Sequence, residues 1–444
     1  MSLDSRLLSF LRPWTAAPVW RIALSGGLDS SVLLHLLVEL RNAGRAPALS
    51  AIHVHHGLQP QADAWVEHCR RCCAELDVPL EVVRVQVRRA ASLERAAREA
   101  RYAAFAERLA PGEVLLTAQH LDDQAETLLF RLMRGTGLRG LAGMPAARAL
   151  GPGMLLRPLL GIARSELERY AQAHRLSWVE DPSNADPHYA RNYLRGQVMP
   201  LLQARWPQAG GALARTAAHL SEAQQLLDER ADEDLAGARA GAPFAWLPCP
   251  SLDLAALTLL SPARQRNALR RWLELLGVQM PDSDHWAGWD SLRDAAVDAE
   301  PRWQLGLGEL RRAGGRVYWL DADWCAPAPQ PLDWDPVGGE QRLPGNGRLR
   351  LEGEGESSAL QVRYRQGGEQ LRLAGRGRRD LKRLLNEAGL PAFVRARLPL
   401  LWRGDELLAV ANLPLVAESA GSWRLIWTPP GAVDDRAVLP APQV

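Results

Sequence analysis

The segment Ser25-Gly26-Gly27-Leu28-Asp29-Ser30 constrains this chain more than any other, because of what flanks it. An apolar run at residues 19–25 reads as a buried strand. The residues after the segment, Val32, Leu33, Leu36, Leu37 and Leu40, keep helical spacing. A strand that turns through two glycines into a helix directs backbone N–H groups at one point. There the helix dipole is positive and the first-turn donors lack partners. Without Cβ atoms, Gly26 and Gly27 let an anion approach the main chain closely. Ser25, Ser30 and Ser31 add hydroxyl donors. A bare carboxylate beside phosphate would repel it, so Asp29 is expected either to cap the helix or to orient a bound cation. An isolated Gly-Gly pair would read as an ordinary turn; the full SGG-x-DS pattern after a first strand points to a phosphate site.

No Gly-Lys-Ser/Thr follows the glycines, and Lys382 is the only lysine in the chain, so the kinase-type phosphate loop is excluded. The segment instead resembles the pyrophosphate loop of the ATP pyrophosphatases. That resemblance implies cleavage of ATP between its α and β phosphates, with adenylation of a second substrate.

Strand and helix patterns alternate onward from this loop. Residues 48–58, 80–87 and 113–120 read as strands, and residues 62–76, 92–109 and 122–134 as helices. The alternation predicts an α/β fold, a doubly wound parallel sheet with its ligand outside the carboxyl ends of the strands. Ser25, His53, His55 and His120 fall at those ends. From Ala212 to about Trp303 the pattern is helical without strands. A Pro- and Gly-rich stretch at 325–340 reads as a linker, after which short strands (LRLEG, ALQVRYR, LLAVANL) return around one helix, DLKRLLNEAG. The expected domains are an ATP-binding catalytic domain at 1–210, an all-helical middle domain at 211–325 and a small α+β C-terminal domain at 335–432.

No apolar run reaches 18 residues and the N-terminus has no leader pattern, so a cytoplasmic protein without a membrane partner is expected. The net charge is only +2, which leaves nucleic-acid binding to local patches. Sixteen tryptophans lie mostly among apolar neighbours and are expected in cores. Cys69, Cys72 and Cys73 share one helix, and no second Cys pair completes a zinc site; packing of reduced thiols is the expectation. His53 and His55 share a strand face and His56 points away, which favours hydrogen bonds lining a site over a three-ligand metal centre. The metal ligands stay unknown.

Two further clusters carry chemistry. In TAQHLDDQAETLLFRLMRGTGLRGLAGM, Asp122 and Asp123 open a helix and Glu126 shares a face with Asp123. Alone these acids would read as caps; beside a phosphate site they suit either Mg²⁺ or an amine to be bound and deprotonated. Arg and Gly crowd together after the helix in RGTGLRGL, in a way packing does not require. In WVEDPSNADPHYARNYLRGQVMPLL, a polar loop with Asp181, Ser183, Asn184 and Asp186 leads to Arg191, Asn192 and Arg195 on a helix start. Composition does not separate this from a turn and a basic helix face.

SGGLDS, HVHHGL, AREARYAAF, the two clusters above and RPLL occur in the order and spacing of the tRNA(Ile)-lysidine synthetases, which the chain resembles through LAGRGRRDLKRLL and PAFVRARLPLLW. Gln119 stands where many relatives carry His. The resemblance implies that ATP adenylates the wobble cytidine of the CAU-anticodon isoleucine tRNA. The ε-amine of free L-lysine then attacks the same ring carbon and AMP leaves. It further implies that Ser25, Gly26, Gly27, Leu28, Asp29, Ser30, Ser31 and His53 bind ATP, with Mg²⁺. Asp123 and Glu126 would face the lysine amine, and Arg191 the lysine carboxylate or the α-phosphate. Asn192 and Arg195 would complete the substrate site, with Asp29, Asp123, Glu126 and Arg191 the catalytic set. Arg98 and Arg101 are weaker candidates for phosphate or tRNA.

Ten Lys or Arg against three Asp or Glu between Arg363 and Arg397 make a local charge of +7. Arg376, Arg378, Arg379, Lys382 and Arg383 are expected to meet tRNA backbone phosphates. The alternative is a PP-loop tRNA thiolase, which needs cysteines facing the site; nothing in the sequence brings Cys69 or Cys72 to the phosphate loop. The oligomeric state, a homodimer included, is left open.

Overall fold

The computed structural model describes residues 2–57, 59–87, 93–239, 241, 243–278, 286–296, 299–327, 329–334, 339–353, 360–420 and 423–432. Leu58 of HVHHGL and Ser92, at the start of an expected helix, lie outside them. The chain divides into two units, Met1–Leu226 and Leu227–Val444.

The first unit is built around one sheet. Helix α1 (Leu3–Leu11), whose first turn is capped by the Ser2 hydroxyl, leads to strand β1 (Val19–Ala23), which buries Trp20 and Ile22 completely. Helix α2 (Leu28–Asn42) is buried along most of its length, which explains why its apolar residues run nearly unbroken. There follow β2 (Ala48–His55), α3 (Ala62–Glu75), β3 (Leu80–Arg84), α4 (Leu93–Arg108), β4 (Val114–Leu116), α5 (Leu121–Leu132) and α6 (Leu138–Leu141). A hairpin, β5 (Ala147–Leu150) and β6 (Gly153–Leu156), precedes α7 (Arg164–Ala173), α8 (Ala190–Tyr193), α9 (Met199–Arg205) and α10 (Ala209–Arg239).

The sheet order is β3-β2-β1-β4-β6-β5, parallel throughout except for the edge strand β5. The chain leaves β1 toward β2 and β3, then returns to the other side of β1 as β4. That reversal opens a crevice at the carboxyl ends of β1 and β4, where such sheets bind ligands. Strand β4 is shorter than the expected strand at 113–120: residues 117–120 leave the ladder, and Thr117, Ala118 and Gln119 form a wall of the crevice. A π-type turn (Leu194–Val198) joins α8 to α9, and the Met199 N–H reaches back five residues to the Leu194 carbonyl. Pro200 in the next turn has no N–H, so a regular helical ladder cannot close there.

In the second unit the middle region is mainly helical. A strand, β7 (Ser251–Asp253), precedes α11 (Leu254–Thr258), α12 (Pro262–Leu275) and α13 (Ala287–Asp294). Strands β8 (Arg302–Leu305), β9 (Gly308–Ala313) and β10 (Arg316–Leu320) complete an antiparallel sheet of order β7-β10-β9-β8. Contrary to the all-helical expectation for 211–325, this region holds the four strands β7–β10; β7 also breaks the strand-free reading before Trp303, its three residues being too few for alternation to register.

The C-terminal region contains α14 (Ala322–Cys325), β11 (Leu332–Trp334), β12 (Gln341–Arg342), β13 (Arg348–Glu352), β14 (Leu360–Arg363), β15 (Gln370–Leu373) and β16 (Gly377–Asp380). It ends with α15 (Leu381–Glu387), α16 (Ala392–Arg395), β17 (Leu400–Arg403), β18 (Glu406–Val410) and β19 (Arg424–Thr428). Its sheets are β11-β14-β17-β18, β12-β13-β19 and the hairpin β15-β16. Strand β11 occupies part of the expected linker, of which residues 328 and 335–338 lie outside the described set. Trp324, Trp334, Trp423 and Trp427 pack in this core, as their apolar neighbours suggested. Among the described residues, no helix is long and apolar enough to cross a membrane.

Candidate active site

The phosphate loop is held from behind. Gly26 has φ +86°, a left-handed conformation that favours glycine, and its carbonyl accepts the Val179 N–H at 2.9 Å. A Cβ there would stand 3.1 Å from both Cys69 Sγ and Val179 Cγ2. Ser30 Oγ accepts the Ser25 N–H at 3.2 Å and donates to the Gly27 carbonyl at 3.0 Å, so it knits the turn together. Gly27 begins α2 without a side-chain cap, which leaves the helix start for an anion. Asp29 is therefore not the cap. Its Oδ1 is buried without a hydrogen-bond partner, and burial pushes its pKa up.

Across the crevice, His120 precedes α5 and is almost wholly buried. Its Nε2 lies 3.4 Å from Asp123 Oδ2 and 3.7 Å from Asp29 Oδ2, and its Nδ1 lies 3.6 Å from Asp122 Oδ2. Burial opposes charge on the ring, but Asp122, Asp123 and Asp29 outweigh it and push the pKa up. Asp122 also accepts the Arg164 N–H at 2.8 Å, fixing the start of α7. Asp123 accepts the His120 N–H at 3.1 Å.

Arg195, carried on the π-type turn, closes this acidic group. Its Nε–H donates to Glu126 Oε1 at 2.7 Å, and its Nη2 donates to Glu126 Oε2 at 3.0 Å and Asp123 Oδ1 at 2.9 Å. Burial pushes the Glu126 pKa up, and Arg195 offsets part of that rise. Arg191, one turn earlier, donates to Thr127 Oγ1 at 3.2 Å. Asn192 spends its amide N–H groups on the Ser183 and Asp186 carbonyls, at 2.8 and 2.9 Å, and so clamps the polar loop to the helix.

Cys69 overturns one expectation: it does lie against the phosphate loop. Its Sγ is 3.5 Å from His53 Nδ1, which in turn lies 2.8 Å from the Leu24 carbonyl. The thiol is fully buried, and that burial pushes its pKa up to about 12. Cys72 Sγ lies 3.5 Å from His68 Nε2, and all five cysteines are free. Among the described residues, no group of three or more His, Cys, Asp or Glu could hold a metal. The Arg101 Nε–H donates to His56 Nε2 at 3.1 Å; burial first, then this guanidinium, takes the His56 pKa down to about 4.

These residues surround one cavity of about 770 Å³. Ser25, Gly27, Ser30, His53, Asp123, Arg191, Asn192 and Arg195 line it, as do Arg98 and Arg101. Gly26, Leu28, Asp29, Ser31 and Glu126 are not part of the lining. Sequence reasoning missed Trp65, Thr117 and Tyr189, which also border it. Trp65 lies near the start of α3, the helix that follows β2, and that place beyond a strand's carboxyl end was the available signal.

In the second unit, Arg376, Arg378, Arg379, Lys382 and Arg383 are exposed on the β15–β16 hairpin and α15. Arg378 faces Arg372 across the hairpin, a like-charge pair. Asp380 caps α15 by accepting the Arg383 N–H at 3.0 Å.

A family model described as a PP-loop domain matches residues 2–202. Two more, a TilS substrate binding domain and a TilS substrate C-terminal domain, match residues 252–318 and 360–427. The chain is 61% identical over 432 residues to a tRNA(Ile)-lysidine synthase of Pseudomonas aeruginosa, covering 96% of this chain and 97% of the relative. It is 59% identical to that of Pseudomonas fluorescens, covering 97% of each. Identity to that of Alkalilimnicola ehrlichii is 46%, covering 92% of each.

Proposed function

The chain belongs to the tRNA(Ile)-lysidine synthase family, and from that premise we propose how its residues divide the work. It is an ATP-dependent ligase that forms a carbon–nitrogen bond on tRNA(Ile). ATP adenylates the wobble cytidine of the CAU anticodon, and the ε-amine of lysine then displaces AMP to give lysidine. One observation carries the assignment of residues: an uncapped helix start and Asp123, joined to the buried Glu126 through Arg195, meet at the same cavity.

The triphosphate rests on Ser25–Ser31 at the start of α2, with Arg191 nearby. Arg191 pairs with no carboxylate among the described residues, which suits it to an anion, either the α-phosphate or the lysine carboxylate. The cytosine carbonyl oxygen attacks the α-phosphorus and pyrophosphate leaves. An oxygen bound directly to a pyrimidine ring is a poor leaving group; as a phosphate ester it departs with AMP. The lysine ammonium must lose a proton before it attacks, and Asp123 with Glu126 binds it and accepts that proton. The buried, unpartnered Asp29 Oδ1 is a hard oxygen donor beside the phosphates and fits Mg²⁺, which takes one or two carboxylates together with phosphate oxygens. Asp29 would hold the ion, which when bound neutralises phosphate charge.

A thiolase needs a reactive thiolate, and the fully buried Cys69, with its pKa at about 12, does not offer one. We assign catalysis to residues 1–210, and to 335–432 the binding of tRNA backbone through Arg376, Arg378, Arg379, Lys382 and Arg383. A cytoplasmic setting follows from the substrates.

The test supplies ATP, Mg²⁺, labelled lysine and CAU-anticodon tRNA(Ile), and measures lysine that remains with the tRNA after mild alkali. Lysine joined to a base survives alkali and an aminoacyl ester does not. Stable incorporation, abolished by Asp29→Ala or Asp123→Ala, is expected. Pyrophosphate release without incorporation would refute the lysine step.

A further inference from the structure

Arg195 occupies the place the chemistry reserves for another cation. Glu126 is buried and does not border the cavity; Arg195 does, and its guanidinium binds both Glu126 oxygens. The same guanidinium holds Asp123 Oδ1 at 2.9 Å. An incoming ammonium therefore cannot reach Glu126, and finds one oxygen of Asp123 already taken, while this fork stays in place. The backbone beneath Arg195 is suited to movement. It lies in the π-type turn, Gly196 follows it with open space around its Cα, and Pro200 removes a ladder bond.

We propose that Arg195 is a built-in substitute for the substrate ammonium, which keeps Asp123 and Glu126 paired until lysine arrives and displaces it. This rests on the reading that those two carboxylates seat the lysine ε-ammonium. It changes the part assigned to Arg195, which competes with lysine in the resting enzyme and does not hold it. The exchange replaces one cation by another, so the acidic group never stands unpaired in a buried setting, where an uncompensated charge is costly. The displaced guanidinium enters the cavity that the phosphate loop also faces. Seating of the nucleophile is thereby linked to the arrival of positive charge beside the phosphates, an induced fit that withholds the full site until lysine is present.

The test is the titration of L-lysine into full-length enzyme without ATP or tRNA, followed calorimetrically. If the seat is free about one-tenth of the time, removing its occupant tightens apparent binding about tenfold. Arg195→Ala and the closer-shaped Arg195→Gln are both expected to bind lysine more tightly than the parent. Guanidinium ion is expected to compete with lysine in Arg195→Ala, because it refills the vacated fork. At saturating lysine both variants are expected to turn over more slowly. Weaker or unchanged lysine binding in both variants, with binding still lost in Asp123→Asn and Glu126→Gln, overturns the substitution while the seat stands. Lysine binding indifferent to Asp123→Asn and Glu126→Gln overturns the seat itself, and the proposal with it.

Discussion

Replacing Gly26 by alanine sets two separable costs against each other. The first is the backbone: at φ +86° a Cβ crowds its own main chain, which costs about 1–2 kcal/mol. The second is contact. The new methyl would meet Cys69 Sγ and Val179 Cγ2, each at 3.1 Å. Neither neighbour can swing aside, since valine is stiff at χ1 and the Cys69 thiol is fully buried against His53. Overpacking of this kind costs about 1–3 kcal/mol. The sum, about 2–5 kcal/mol, falls on the turn whose shape presents N–H groups to phosphate. If one such charge-assisted bond is lost, ATP affinity falls about ten- to hundredfold.

Cys69→Ala removes one of the two contacts and leaves the backbone cost untouched. The double variant is therefore expected to recover about 1 kcal/mol relative to additivity, and no more. Hydrogen exchange of residues 25–31 reports opening of the turn, and ATP titration reports its function. Gly26→Ala with unchanged exchange and ATP affinity within twofold of the parent would refute the reasoning. An identical cost with and without Cys69 would refute the contact part alone.

Other perturbations follow from the same geometry. His56 is expected to titrate by NMR near pH 4, so the stability it contributes is complete above 6.5 and is lost as pH falls through about 4; a midpoint near 6.5 refutes this. Arg101→Gln should raise the His56 midpoint without restoring the ordinary value, because burial is the larger cause. Asn192→Ala removes two bonds to the loop carbonyls, worth about 1–3 kcal/mol together, and should speed exchange at residues 181–189 by at least about fivefold. Arg378→Thr relieves the like-charge pair with Arg372, so the hairpin should gain about 0.2–1 kcal/mol while tRNA affinity and its salt dependence both decrease. A loss of both stability and tRNA binding would point instead to a packing role.

The strand-turn-helix at Ser25–Ser30 was legible because its parts are contiguous: a strand, two glycines and a helix start within a dozen residues leave the backbone little choice. The α5 carboxylates were legible for the same reason, since Asp123 and Glu126 are one turn apart. Partners distant along the chain were not. Arg195 meets Glu126 across 69 positions, and a π-type turn aims it there, a local irregularity that no periodicity announces. Cys69 was read as remote from the loop because a helical pattern states which face is apolar and not what packs on it. Strand β7 escaped notice through brevity. In each case the missing information is tertiary.

The cavity wall holds guanidiniums, imidazoles, hydroxyls and amides, and no lysine side chain. The chain's single lysine is exposed on α15, in the other unit. An enzyme that makes a carbon centre ready for attack by a primary amine has to avoid offering its own. Arginine supplies the positive charge that phosphates demand, yet stays protonated and hence non-nucleophilic at any physiological pH. The guanidiniums lining the cavity are therefore non-nucleophilic, and under the proposed function no side-chain amine of its wall competes with lysine for the activated carbon.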